Sequence, residues 1–178
     1  MFSETQAFSC SQAAARPTSY CPAIQQLLDE HEPLRQNMRE LIDDAGQLFH
    51  NDVPGHDPEI LRMLLALFMK EQAFRLKLEL HSEKEEKGLF AMLKQKMGSD
   101  FGPVNVMELE HEEAKKLLST FEQFVSSPLE NAKKAAIHLM DACQILLLHF
   151  TKEETVLFPF AENSLTPEQK QQLFCMHR

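Results

Sequence analysis

Apolar side chains recur at steps of three and four over most of this chain, with charged and amide side chains between them. That period is the one an amphipathic α-helix turns toward a core. The first such stretch runs from about Pro22 to His50 and carries Ile24, Leu27, Leu28, His31, Leu34, Met38, Leu41, Ile42 and Ala45 on its apolar side. Pro33 falls inside it, so the helix either kinks there or begins later than Pro22. The second runs from about Pro58 to Met97, with Asp57 as N-cap and Pro58 in the first turn. Its stripe is Leu61, Leu64, Leu65, Phe68, Phe74, Leu78, His81, Glu85 and Leu89. The third spans about Val104 to Val125. The fourth spans about Leu129 to Phe158, with Ile137, Ala142, Ile145, Leu146, His149, Glu153 and Val156 inward. A short terminal helix opens on Thr166 as N-cap and Pro167 as its first residue.

Between these stretches lie Asn51 to Pro58, Gly98 to Pro103 and Ser126 to Pro128, all rich in turn formers. Long helices joined by short breaks predict an all-α fold, an antiparallel up-down-up-down four-helix bundle with a short C-terminal helix. Residues 1–22 show no sustained period and are expected to form a mobile N-terminal arm; residues 23–178 are expected to form the bundle domain.

Composition agrees: 178 residues suit one domain, and 43% apolar with 25% charged residues is ordinary for a soluble globular protein. The net charge of −9 opposes duplex nucleic acid and anionic lipid, so neither nucleic acid nor membrane is expected as a partner. Cys10, Cys21, Cys143 and Cys175 form no Cys-x-x-Cys pair, which removes the usual zinc and iron–sulfur spacings. No basic start followed by an apolar stretch occupies residues 1–23, and the longest apolar run, Met63 to Met69, is too short to span a bilayer. The expected location is the cytoplasm, with free thiols.

Two of the helices carry one spacing. His81 and Glu85 repeat in His149 and Glu153, each a His-x-x-x-Glu pair. Four residues are about one helical turn, so each pair projects from one face. Leu146 lies just before His149 and Leu157 just after Glu153, which puts that face inside the bundle. A carboxylate there is costly without a partner, and a metal ion is such a partner. The other two helices each add a histidine on the apolar face, His31 and His111. Four imidazoles and two carboxylates exceed the usual zinc shell of about four. They suit two metals bridged by Glu85 and Glu153, each metal with two histidines, and the mixed nitrogen and oxygen set favours iron or manganese. Arg35, Glu108 and Glu112 are candidates to orient the imidazoles, while Glu83, Glu86, Glu112, Glu113 and Glu154 read as solvated faces. His50, His56, His138 and His177 carry no such pattern.

From about Cys21 to Phe160 the chain resembles the hemerythrin-like HHE cation-binding domains. The resemblance rests on Glu30-His31 followed by Pro33-Leu34-Arg35, His81-x-x-x-Glu85-Glu86 followed by Leu89-Phe90, Glu110-His111, and His149-x-x-x-Glu153-Glu154 followed by Leu157-Phe158-Pro159. It implies a non-haem di-iron centre, two Fe ions with an oxo or hydroxo bridge, held by His31, His81, Glu85, His111, His149 and Glu153. It implies as partners a small diatomic ligand, oxygen or nitric oxide, or peroxide. The oxygen carriers of that family have a further histidine where this chain has Lys115, and a carboxylate where it has Glu154. The four-histidine, two-glutamate set is more similar to bacterial proteins of iron–sulfur repair and nitrosative stress, which carry adjacent cysteines in an N-terminal segment; Cys10 and Cys21 are separated here.

The expected function is a di-iron protein engaging such a ligand in redox or nitrosative stress response or sensing. The alternatives are an iron sensor, with a protein partner reading it, and an iron store or donor without turnover. A ferritin-like site needs two Glu-x-x-His motifs, and only Glu108 to His111 has one.

Overall fold

The computed structural model describes residues 17–51 and 57–176, with the backbone alone at 128–130. Residues 1–16 of the expected arm, with Cys10, lie outside the described residues, as do His56 and His177. Five helical rods and no strand occur among the described residues. Helix α1 is Pro22–His50. Helix α2 covers residues 58–97 as α-helical Pro58–Lys84, a π-helical turn Glu85–Phe90 and α-helical Ala91–Met97. Helix α3 is Gly102–Val125. Helix α4 covers residues 128–164 as Pro128–Lys152, a second π turn Glu153–Leu157 and Phe158–Ser164. Helix α5 is Pro167–Met176.

The caps follow the local chemistry. Asp57 Oδ1 accepts the Glu59 amide at 2.8 Å. Thr166 and Gln169 exchange hydrogen bonds, the Gln169 amide to Thr166 Oγ1 at 3.3 Å and the Thr166 amide to Gln169 Oε1 at 3.0 Å, a capping box. Gly98 closes α2 with φ 104°, a backbone conformation open to glycine. Pro33 neither delays nor ends α1; it lies on the exposed side of a continuous helix. The fourth helix passes its expected end at Phe158 because Pro159, which has no amide hydrogen, comes after a π turn that has already broken the i→i−4 ladder.

Successive rods run antiparallel. One apolar cluster joins Ala23 and Leu27 at the start of α1 to Leu93 at the end of α2, Val104 at the start of α3 and Ala161 at the end of α4, and Leu173 of α5 closes it. A second cluster fills the other end, from Leu34 to Leu48 in α1, Ile60 to Leu78 in α2, Ala114 to Phe121 in α3 and Ala132 to Phe150 in α4. Helix α1 packs on α2 and α4, and α3 on α4 and α2, the up-down-up-down order.

Three parts of the expected stripes shift. In α2 the buried line is Ile60, Leu64, Leu67, Glu71, Phe74 and Leu78, so Leu65 is 59% exposed and Leu61 and Phe68 are half-buried. Glu71 hides that register: it occupies a core position and accepts hydrogen bonds from Arg75 Nε and Gln72 Nε2. In α4 the inner line is carried by Ala132, Ala135, Ala136, Leu139, Ala142 and Cys143. Small side chains let the helices approach but give a weak periodic signal, and Ile137 lies outside at 38%. Val156 is 56% exposed because the π turn delays the inward face by one residue, to Leu157 and Phe158.

Candidate metal centre

A polar layer separates the two apolar clusters. His31 lies between Leu27 and Leu34, His81 between Leu78 and Leu89, His111 between Met107 and Ala114, and His149 between Leu146 and Leu157. These four and Glu85 and Glu153 are all buried, none more than 2% exposed. The structure thus brings together all six residues singled out in the sequence, and neither His50 nor His138 joins them; His138 stacks on Phe124 with centroids 5.3 Å apart.

Every imidazole is gripped from outside by a glutamate. His31 Nδ1 donates to Glu154 at 2.7 Å, His81 Nδ1 to Glu30 at 3.0 Å, His111 Nδ1 to Glu86 at 2.8 Å and His149 Nδ1 to Glu110 at 3.2 Å. A carboxylate only accepts, so each Nδ1 holds the hydrogen and each Nε2 faces inward with its lone pair. Each outer glutamate is held in turn by a cation: Glu154 by Arg35 at 2.6 Å, Glu86 by Lys115 at 2.9 Å, Glu30 by Lys84 and Glu110 by Lys152. Burial alone would raise Glu30, but hydrogen bonds from His81 and Lys84 outweigh it and pull its pKa down to about 2. Burial likewise works against ionisation of Glu86 and Glu154, and their cations and histidines overcome it.

The inner atoms are left without protein partners. Glu85 turns Oε1 to His81 Nε2 at 3.2 Å and Oε2 to His111 Nε2 at 3.5 Å. Glu153 turns Oε2 to His31 Nε2 at 3.4 Å and Oε1 to His149 Nε2 at 3.4 Å. His31 Nε2, His81 Nε2 and all four oxygens of Glu85 and Glu153 are buried with no hydrogen-bond partner among the described residues. His111 Nε2 and His149 Nε2 face each other at 3.0 Å. With both protons held at Nδ1 this sets lone pair against lone pair, which a cation between them relieves. Donor atoms about 2.1 Å from one octahedral cation lie about 3 Å apart across a right angle, close to these separations.

The electrostatics of the layer make the same demand for positive charge. Burial raises Glu153, and the charge of Glu85 beside it raises it further. Burial would lower His81, but Glu85 and then Glu30 push it up to about 10. Burial lowers His111 and His149, which suits neutral imidazole donors. Among the described residues, two groups have the closeness a metal ion needs: His31, His81, Glu85 and Glu153, and Glu85, His111 and His149.

Sequence reasoning anticipated Arg35 among the orienting groups and misplaced the others. Glu108 pairs with Lys94 instead, and Glu112 only reaches Lys115. Glu86 and Glu154, expected as solvated faces, hold His111 and His31, and Glu30 and Glu110, read only as part of the family pattern, hold His81 and His149. A signal was there. Glu30-His31-x-x-x-Arg35 with His81-x-x-Lys84-Glu85-Glu86 is repeated as Glu110-His111-x-x-x-Lys115 with His149-x-x-Lys152-Glu153-Glu154. The contacts obey that repeat, so the two halves of the site are related by a pseudo-twofold.

A buried cage of imidazole and carboxylate donors inside a four-helix bundle defines a metal-binding helical bundle. The chain belongs to the hemerythrin HHE cation-binding domain family, whose pattern matches residues 23–161. Among curated proteins it is 36% identical over 144 residues to the iron-sulfur cluster repair protein YtfE of Cronobacter sakazakii, covering 76% of this chain and 62% of that protein. It is 36% identical over 140 residues to YtfE of Escherichia coli O1:K1, and 34% over 140 residues to YtfE of Salmonella schwarzengrund, each covering 74% of this chain and 60% of the relative. The chain thus spans about three fifths of the length of these relatives. No solved structure gives a significant match. No helix among the described residues is long and apolar enough to cross a membrane.

Proposed function

We propose that this chain holds two iron ions and engages a small ligand there, oxygen, nitric oxide or peroxide, in the response to redox or nitrosative stress. His31 and His81 would hold one ion, His111 and His149 the other, with Glu85 and Glu153 bridging. The observation that carries this reading is the division of each buried carboxylate, one oxygen toward each histidine pair, with no other partner for either. Glu153 serves as the bridge in preference to Glu154, whose carboxylate is already engaged by His31 and Arg35.

Iron in such a site supplies electrons to a bound ligand or polarises it. The chain's own part is to hold four imidazoles by their outer nitrogens, aim both carboxylates inward, and limit the access of bulk water. The YtfE relatives favour a role near iron–sulfur repair for this chain too. An iron store or donor has less support, because every proposed ligand is 2% exposed or less.

Iron per chain and the optical spectrum of the purified protein test this. Two irons with near-ultraviolet charge-transfer bands are expected, and His81→Ala and His149→Ala should each lower the iron content while helicity is kept. An iron-free protein after anaerobic reconstitution would sink the reading.

A further inference from the structure

The pseudo-twofold of the site fails in the side chains beside His31 and His111. The residue after His149 is Phe150, fully buried, its ring stacked on His31 with centroids 4.1 Å apart and planes 3° apart. Its counterpart, the residue after His81, is Ser82. Phe150 covers His31 at the seam of α4 and α1. At the equivalent seam of α2 and α3, where Ser82 stands, a crevice of about 420 Å³ reaches His111. The other neighbours match: Phe158 lies 5.4 Å from His31 and Phe90 5.7 Å from His111, and Arg35 and Lys115 hold equivalent glutamates. The opening lies where Phe150 and Leu34 of one half are replaced by the smaller Ser82 and Ala114 of the other.

Ser82 is only 6% exposed, and its hydroxyl has no partner among the described residues. Thr120, Thr151 and Thr155 turn their hydroxyls back to the carbonyl four residues earlier. Ser82 does not, which leaves a hydroxyl on the crevice wall for an occupant.

The lining sets the class of occupant. Leu78, Ala114, Leu118 and Leu146 form its apolar wall. Lys87 pairs with Glu83, Lys115 with Glu86 and Glu112, and Arg75 with Glu71 through Nε and Glu122 through Nη1, which leaves Arg75 Nη2 buried without a partner among the described residues. The carboxylate of Glu79 also borders it. An anion entering here would lose hydration and meet the carboxylates of Glu79, Glu83 and Glu86, which offset the charges of Arg75, Lys87 and Lys115. The volume exceeds what a diatomic needs, so size excludes nothing in this range and charge decides.

We propose that the α2–α3 crevice, kept open by Ser82, is the binding site of an uncharged small ligand that takes the Ser82 hydroxyl as hydrogen-bond partner beside His111. This rests on the metal reading above for what the ligand meets at its inner end. In crystals of the metal-free protein, pressurised xenon should occupy the crevice in wild type and Ser82→Ala but not in Ser82→Phe or Ser82→Leu. In the iron-loaded protein, nitric oxide should associate about tenfold or more slowly with Ser82→Phe and Ser82→Leu at unchanged iron content. Ser82→Ala should keep the rate and lose the solvent-deuterium shift of the N–O stretch. Azide should add no absorption band. Plugged variants that take xenon and nitric oxide like wild type, or azide binding as readily as nitric oxide, would overturn the proposal. If wild type binds no iron while the xenon pattern holds, the metal reading falls and the crevice assignment stands.

Discussion

At the scale of single residues, the site is governed by which nitrogen of each histidine is committed. Four outer glutamates take Nδ1, and four cations fix the glutamates. Glu154 shows how this couples to stability. Burial would raise its pKa, but Arg35 and His31 hold it below the usual 4.5. A carboxylate whose folded pKa is depressed contributes stability that is present above the unfolded value and is lost as pH falls through the folded one. In the metal-free protein, Glu154→Gln should lower stability by about 1 kcal/mol near neutral pH, and the deficit should shrink below about pH 4. Denaturant midpoints at both pH values measure this, and a deficit that stays constant in acid would refute it.

At the scale of elements, the two π turns are what make paired glutamates useful. Each begins at the inner glutamate, Glu85 or Glu153, and the extra residue lets neighbours face different tasks: Glu153 points into the core while Glu154 reaches His31. Beyond the turn the inward line resumes at Leu157 and Phe158. Deleting Thr155, an exposed residue of the second turn, should restore a regular helix that keeps the rest of α4 in phase. Leu157 and Phe158 would then follow Glu153 by three and four residues and stay in the core. Thermal unfolding with far-ultraviolet circular dichroism should show a midpoint close to wild type at similar helicity; a large drop would mean that the turn itself is needed for packing.

At the scale of the whole molecule, the polar layer is a weakness that a cation turns into a clasp. All four bundle helices contribute a histidine, and two carboxylates meet where the apolar clusters end. Without a cation those carboxylates repel each other and their oxygens lack partners. A metal that binds only the folded chain shifts the folding equilibrium by mass action. The thermal midpoint should therefore rise on iron loading and increase with free metal concentration. Equal midpoints for loaded and stripped protein would show that the layer is satisfied by protons alone.

The sequence by itself determined the helices, their order and all six inward donors, because helical period and His-x-x-x-Glu spacing are local properties of the chain. Helix ends marked by Asp57, Gly98 and Thr166 were legible for the same reason. The tertiary structure alone decided the rest. Glu86 and Glu154 look like surface until a neighbouring helix supplies the histidine, and Glu71 hides in a core stripe that Arg75 makes tolerable. The π turns moved Val156 outward with no local residue to announce them. Ser82 against Phe150 has meaning only once α2 and α4 are seen as equivalent, since an open seam is a property of two packed surfaces and not of either strip of sequence.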